Sequence, residues 1–194
     1  MGTFSWTLWG SILFATGIVF VAGLYFLHGL WKPLVTAGFS SILFYMSLTD
    51  LRDNVIPNVV VLPAFIPSIV LYPIGPLGIE SGILINLGMS VVGGVVAVCI
   101  ASIIYVLSQN RFGAGDVKLI GLIGTMVGLQ HLPWVLIFGT LAIGITAIGL
   151  LAIKQASLRD AMPIAPFLGL ATVAVLLFAR HVPPFYDAML RLYS

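Results

Sequence analysis

Apolar runs close to 20 residues long recur along the whole of this sequence, and they constrain its fold more than any other feature. A run of that length matches the hydrocarbon thickness of a bilayer when it is helical. Only helices and closed barrels satisfy their backbone hydrogen bonds there, and runs this long favour helices. Seven segments can be read: about Leu8–Leu30, Pro33–Leu51, Ile56–Tyr72, Gly82–Leu107, Val117–Leu129, Leu132–Ile153 and Pro163–Ala179. The third and fifth are short for a full span. The expectation is an all-α, polytopic membrane protein of about six to seven transmembrane helices. Composition agrees: 60% of the 194 residues are hydrophobic and 7% are charged, against about 45–50% apolar and about 25% charged in soluble domains.

The organisation reads as one membrane-embedded unit over residues 1–194. An extra N-terminal span covers 1–32, a core covers 33–179, and a short, mildly amphipathic tail covers 180–194. No Lys or Arg occurs in the first 27 residues, so the basic region of a secretory signal is missing and the first segment reads as a permanent span. Six acids and eight bases are too few for a nucleic-acid surface, which leaves membrane lipid as the implied surroundings. The single cysteine, Cys99, forms no intrachain disulfide and no cysteine-based metal site. It lies mid-helix and reads as a buried thiol.

Basic residues in short loops favour the cytoplasmic side. Connections on one side hold Arg52, Arg111, Lys118, Lys154 and Arg159; those on the other hold Lys32, Arg180 and Arg191. The split places the N-terminus and the stretch RFGAGDVKL, residues 111–119, inside. His28, His131 and His181 then all fall at the outer face and share no ligand spacing, so no metal site and no cofactor is expected.

The few acids are not scattered. Asp116 begins the fifth segment behind Gly113 and Gly115, and Asp50 closes the second in SLTDLRDNVIPN, residues 47–58. Both meet the same face at the change from lipid to water. Taken singly, each admits a plain structural role: Asp50 as a helix-end acid paired with Arg52, Asp116 as a helix cap beside Lys118. Ionisable residues at membrane depth are costly and mark function, however, and two of them on one face point to joint chemistry. Two adjacent carboxylates cannot both ionise freely, so they share a proton. One can then take a proton from water while the other polarises a carbonyl. Gly113 and Gly115 are expected to supply positive φ and close backbone approach beside Asp116. Asp53 reads as a loop acid capping the third segment, and Glu80, Asp160 and Asp187 read as loop charges. Gly93 and Gly94 read as a close helix contact, and Ser90 as a packing residue.

Three ordered motifs give these residues a context: TDLRDNVIPN, GAGDVKL and Pro163-Ile164-Ala165-Pro166-Phe167-Leu168. Together they resemble the type IV prepilin peptidases, membrane aspartic proteases of the GxGD type. The resemblance implies that Asp50 and Asp116 are the catalytic pair. It implies that Gly113, Gly115, Lys118, Pro57, Asn58, Pro163 and Pro166 shape the site. It implies a prepilin or pseudopilin substrate whose short basic leader is cut at the cytoplasmic face of the inner membrane. The larger family members carry paired Cys-x-x-Cys motifs in a methyltransferase region. The 49 residues before Asp50 contain no cysteine, so this chain resembles the peptidase-only members that serve Tad-like or related pili. Ile164-Ala165 departs from the Phe-Gly of the family signature. Two other readings stay open: a presenilin-like intramembrane protease, which shares only the motif around Asp116, and a proton-coupled transporter using both acids as relays.

Overall fold

The chain is all-α in the computed structural model, which describes residues 3–27, 29–78, 82–108, 113–153 and 163–193. Helices α1 (Thr3–Phe26) and α2 (Trp31–Asp53) form an antiparallel pair, joined across Gly29 and bridged by the Thr16 and Ser41 hydroxyls at 2.8 Å. Asn54 ends α2: it adopts the left-handed conformation (φ 49°, ψ 38°) and returns its N–H to the Asp50 carbonyl, a common helix stop. Pro57 then caps α3 (Asn58–Leu71), which closes in a 3-10 turn at Tyr72–Ile74. Next come α4 (Ile83–Leu107), α5 (Ala114–Ala152), α6 (Ala165–Leu177) and α7 (Phe185–Tyr193). By length and composition, α2, α4 and α5 are each able to cross a membrane, and shorter apolar helices accompany them. The protein is an all-α polytopic membrane protein.

Helix α5 is two helices in one. Gly128 breaks it with φ 69° and ψ 170°, a region that is essentially open only to glycine. The two halves run in opposite directions. Along the first, Gly121 faces Phe65, Gly128 faces Tyr72 and Lys118 reaches Asn58, so it climbs alongside α3. In the second, Trp134 donates to the carbonyl of Pro183 beyond the far end of α6. Five residues later, Gly139 lies against Leu168 near the start of α6. The fifth and sixth apolar segments are thus both present, and the turn falls at Gly128, just inside the expected fifth segment.

The first half of α5 is the central post of the bundle. Residues 119–128 are buried on every side, which is why this stretch is apolar all round and not striped. Against it, α4 packs glycine to glycine. A Cβ on Gly93 would lie 2.6 Å from the Gly124 carbonyl oxygen, and one on Gly94 would strike the Thr125 methyl. Small residues allow such approach where van der Waals packing, not water, drives helix association. Hydroxyls join the helices inside: Ser90 donates to the Thr125 carbonyl at 2.7 Å, and Ser68 and Thr125 share a hydroxyl contact at 2.6 Å. Ser90 is therefore a hydrogen-bonding joint as well as a small residue. Cys99 lies on the exposed face of α4, because its neighbours Ala97 and Ala101 take the core-facing positions; the expectation of a buried thiol is corrected.

Candidate active site

Four helix ends gather at one end of the bundle: the last turn of α2 and the first turns of α3, α5 and α6. Asp50 lies in the last turn of α2 and is 5% exposed. A buried carboxylate needs a donor, and the backbone N–H of Ala165, first residue of α6, donates to its Oδ2 at 2.9 Å. Asp116 is the third residue of α5 and is half-buried. The Gly113 N–H donates to Asp116 Oδ2 at 3.0 Å, while the Asp116 N–H returns to the Gly113 carbonyl at 3.1 Å. Helix N-termini favour a carboxylate at this position through their free N–H groups and dipole. The helix ends that carry the two acids are drawn to the same end of the bundle: Gly115 lies against Ile56, six residues beyond Asp50, and Lys118 reaches Asn58. Two acids 66 positions apart in the chain therefore share that end from separate helices.

The remaining residues named from the sequence divide by what they touch. Gly115 is pressed against Ile56, whose Cβ would be 3.1 Å from a Cβ placed on the glycine. Lys118 Nζ donates to Asn58 Oδ1 at 2.9 Å. These two contacts clamp the GAGD turn onto the Ile-Pro-Asn turn, with Pro57 setting the extended entry (φ −73°, ψ 118°) to α3. Neither Gly113 nor Gly115 has positive φ; Gly113 is extended at φ −78°, ψ 145°. Both glycines serve close approach alone, and the expectation of left-handed backbone is corrected. Pro163 stands just before α6 and Pro166 in its first turn. Between them lies Ala165, the residue that bonds Asp50 and that reasoning from side chains passed over. A backbone donor leaves no residue-type signal. The same fact explains the departure from Phe-Gly in that motif, since any residue but proline supplies the N–H.

Asp53 faces outward and pairs with Arg52 at 3.6 Å, with the two side chains 58% and 55% exposed; it does not cap α3, whose N-cap is Pro57 without a side-chain bond. His131 and His181 lie at the far end, beside Val182 and Phe178 respectively, and Asp187 opens α7 there. His28, Glu80, Arg111, Lys154, Arg159 and Asp160 lie outside the described residues. Among the described residues, no three or more His, Cys, Asp or Glu side chains cluster to hold a metal ion.

Comparison with known proteins places this arrangement. Residues 37–148 match the model of the type IV leader peptidase family, a region holding both acids but neither α1 nor α6. A prepilin leader peptidase/N-methyltransferase of Pseudomonas putida is 30% identical over 146 residues, 72% of this chain and 48% of that protein. Proteins of the same name are 23% identical over 161 residues in Aeromonas hydrophila (80% of this chain, 53% of the relative) and 26% identical over 149 residues in Pseudomonas aeruginosa (74% and 49%). The chain thus spans about half the length of these relatives. No solved structure matches it. With the family model covering more than half of the sequence and both acids inside it, the chain belongs to the type IV leader peptidase family.

Proposed function

We propose that this chain is a membrane aspartic endopeptidase that removes the short basic leader from prepilin-like or pseudopilin-like proteins at the cytoplasmic face of the inner membrane. The observation that carries the proposal is the convergence of the helix ends holding Asp50 and Asp116, two of only six acids in the chain, at one end of an apolar bundle. Family membership and the name of the relatives supply the substrate class.

The chemistry follows from the pair. The proposed reaction asks one carboxylate to be ionised while its partner carries a proton. The ionised member takes a proton from water as the oxygen attacks the scissile carbonyl. The protonated member donates to that carbonyl oxygen and stabilises the charge developing on it. On collapse the C–N bond breaks, the leaving amine takes a proton from one acid, and a hydroxyl of the tetrahedral diol returns its proton to the other as the carbonyl re-forms, so that the pair again holds one proton. Gly113, Gly115, Lys118, Pro57 and Asn58 hold Asp116 against the end of α3; Pro163 and Pro166 flank the N–H that holds Asp50.

Helix length supports action at the membrane edge. α3 has 14 residues, about 21 Å, and residues 114–127 of α5 span the same, against a hydrocarbon core of about 30 Å. With their far ends at one interface, these helices end roughly 9 Å short of the other. The acids then sit in a recess just below the headgroups, where a basic leader stays in water or among anionic lipids.

The test uses the purified full chain and a synthetic peptide carrying a Lys/Arg leader followed by a 20-residue apolar helix. Asp50→Asn and Asp116→Asn should each lower cleavage by on the order of 10² or more, with unchanged thermal unfolding in detergent. Asp53→Asn should cleave nearly as the parent does. Near-normal cleavage by either of the first two variants overturns the assignment.

A further inference from the structure

A groove of about 300 Å³ opens along the side of the bundle between α1, α2 and α6. Its floor is α2, from Ser40 through Leu43 and Ser47 to Leu51, three turns or about 16 Å. Gly169, Leu170 and Val173 of α6 form one wall, and Ala15 and Ile18 of α1 the other. The lining offers almost nothing polar. Its two hydroxyls are spent within α2, Ser40 on the Thr36 carbonyl and Ser47 on the Leu43 carbonyl, each at 2.7 Å. Gly169 has no side chain to stand between α6 and Ser47 of α2, so these two helices pack closely at the base of the groove.

What the groove leads to decides what it holds. Leu51, at one end, is the residue after Asp50; Pro166, beside it, follows the Ala165 whose N–H holds Asp50. A separate apolar groove of about 200 Å³, lined by Trp31, Leu34, Phe39 and Ile74, lies at the opposite end of α2 and reaches neither acid. We infer that the groove between α1, α2 and α6 seats the apolar helix of the substrate, with α1 as its outer wall. The inference rests on the peptidase reading and deepens it. A helix laid over Ser40–Leu51 puts its first turn beside Asp50. The peptide bond just before that turn has no helical partner, so it lies extended within reach of the acids. A lipid chain or a second copy could fill the same space, but neither would gain from a groove whose last lining residues, Leu51 and Pro166, adjoin Asp50 and the Ala165 that holds it. α1 precedes the family-matched residues 37–148, so this wall is an addition to the matched core.

The experiment has two arms. In the first, single cysteines replace Ile18, Leu170 or, as a control on the outer face of α4, Val95; all three side chains are more than half exposed. The background carries Cys99→Ser to remove the natural exposed thiol and Asp116→Asn to keep the substrate whole. The leader–helix peptide, with one cysteine in its second helical turn, should form disulfides with Ile18→Cys and Leu170→Cys and not with Val95→Cys. Crosslinking at Val95→Cys instead, or only between copies of the chain, overturns the inference. In the second arm, Ala15→Trp and Val173→Trp fill the groove in the otherwise native chain. KM for the leader–helix peptide should rise about tenfold or more, while cleavage of a peptide that stops a few residues past the scissile bond should not change. Equal effects on both peptides, or none on either, also overturn it. If Asp50→Asn or Asp116→Asn still cleaves, the peptidase reading fails; if both are inactive and the groove variants are silent, only the groove assignment fails.

Discussion

Among the described residues, the hydrogen bond that holds the Asp50 carboxylate comes from the backbone of Ala165, which separates two roles that a substitution can distinguish. Ala165→Gly keeps the N–H and should retain most cleavage activity, at a stability cost of about 1 kcal/mol for glycine in a helix; loss of cleavage with an intact fold would assign the role to the methyl group instead. Gly115 obeys the opposite rule. There a side chain must displace Ile56, so Gly115→Val should separate the two clamped turns and block cleavage while the protein still inserts. Activity near that of the parent would show that the clamp is dispensable. Both acids were legible in the sequence, because carboxylates in a chain with 7% charged residues stand out and because each sits at a segment end. The Ala165 donor was not legible, since every residue but proline carries the same N–H. The glycines were half legible. Their need for close approach shows in residue type, but φ depends on how the turn is finally packed.

Seven apolar segments in the sequence correspond to the seven apolar helical pieces seen before α7 among the described residues, counting α5 as two. Boundaries moved by only a few residues: α1 begins at Thr3 and α2 extends to Asp53. The reversal inside α5 was expected between the fifth and sixth segments; less visible was the residue that makes it, because Gly128, Gly124 and Gly121 look alike in a row of apolar residues. Only packing tells them apart. A Cβ on Gly128 would collide with the Tyr72 hydroxyl, on backbone that side chains rarely adopt, whereas Gly144 in the second half of α5 has open space around it. Gly128→Ala should therefore destabilise the protein by roughly 2–3 kcal/mol or more from backbone strain and collision. Gly144→Ala should be neutral or stabilising by up to about 1 kcal/mol. Thermal unfolding in detergent checks both, and a Gly128→Ala protein as stable as Gly144→Ala would mean that the break is not imposed at Gly128.

The whole molecule has an aspartate end and a far end, and its exposed charges follow that division. Arg52, Asp53 and Lys118 accompany the acids, while Arg180, His181 and Asp187 lie beyond α6. Read from the sequence alone, five bases fall in the connections expected to share the aspartates' side and three in the others, and the positive-inside rule then favours a cytoplasmic aspartate end. The proposed reaction needs the same orientation. A leader rich in Lys or Arg resists crossing the bilayer and is drawn to the anionic inner leaflet, so a peptidase with its acids outside would never meet it. Sidedness is therefore a test of the function as well as of the topology. With Cys99→Ser as background, a cysteine at the exposed Asp53 position should react with a membrane-impermeant maleimide only after the cells are opened. One at the exposed His181 position should react in intact spheroplasts. Labelling of the Asp53 position from outside would invert the bundle, and cleavage of cytoplasmic leaders at Asp50 and Asp116 would then be physically untenable.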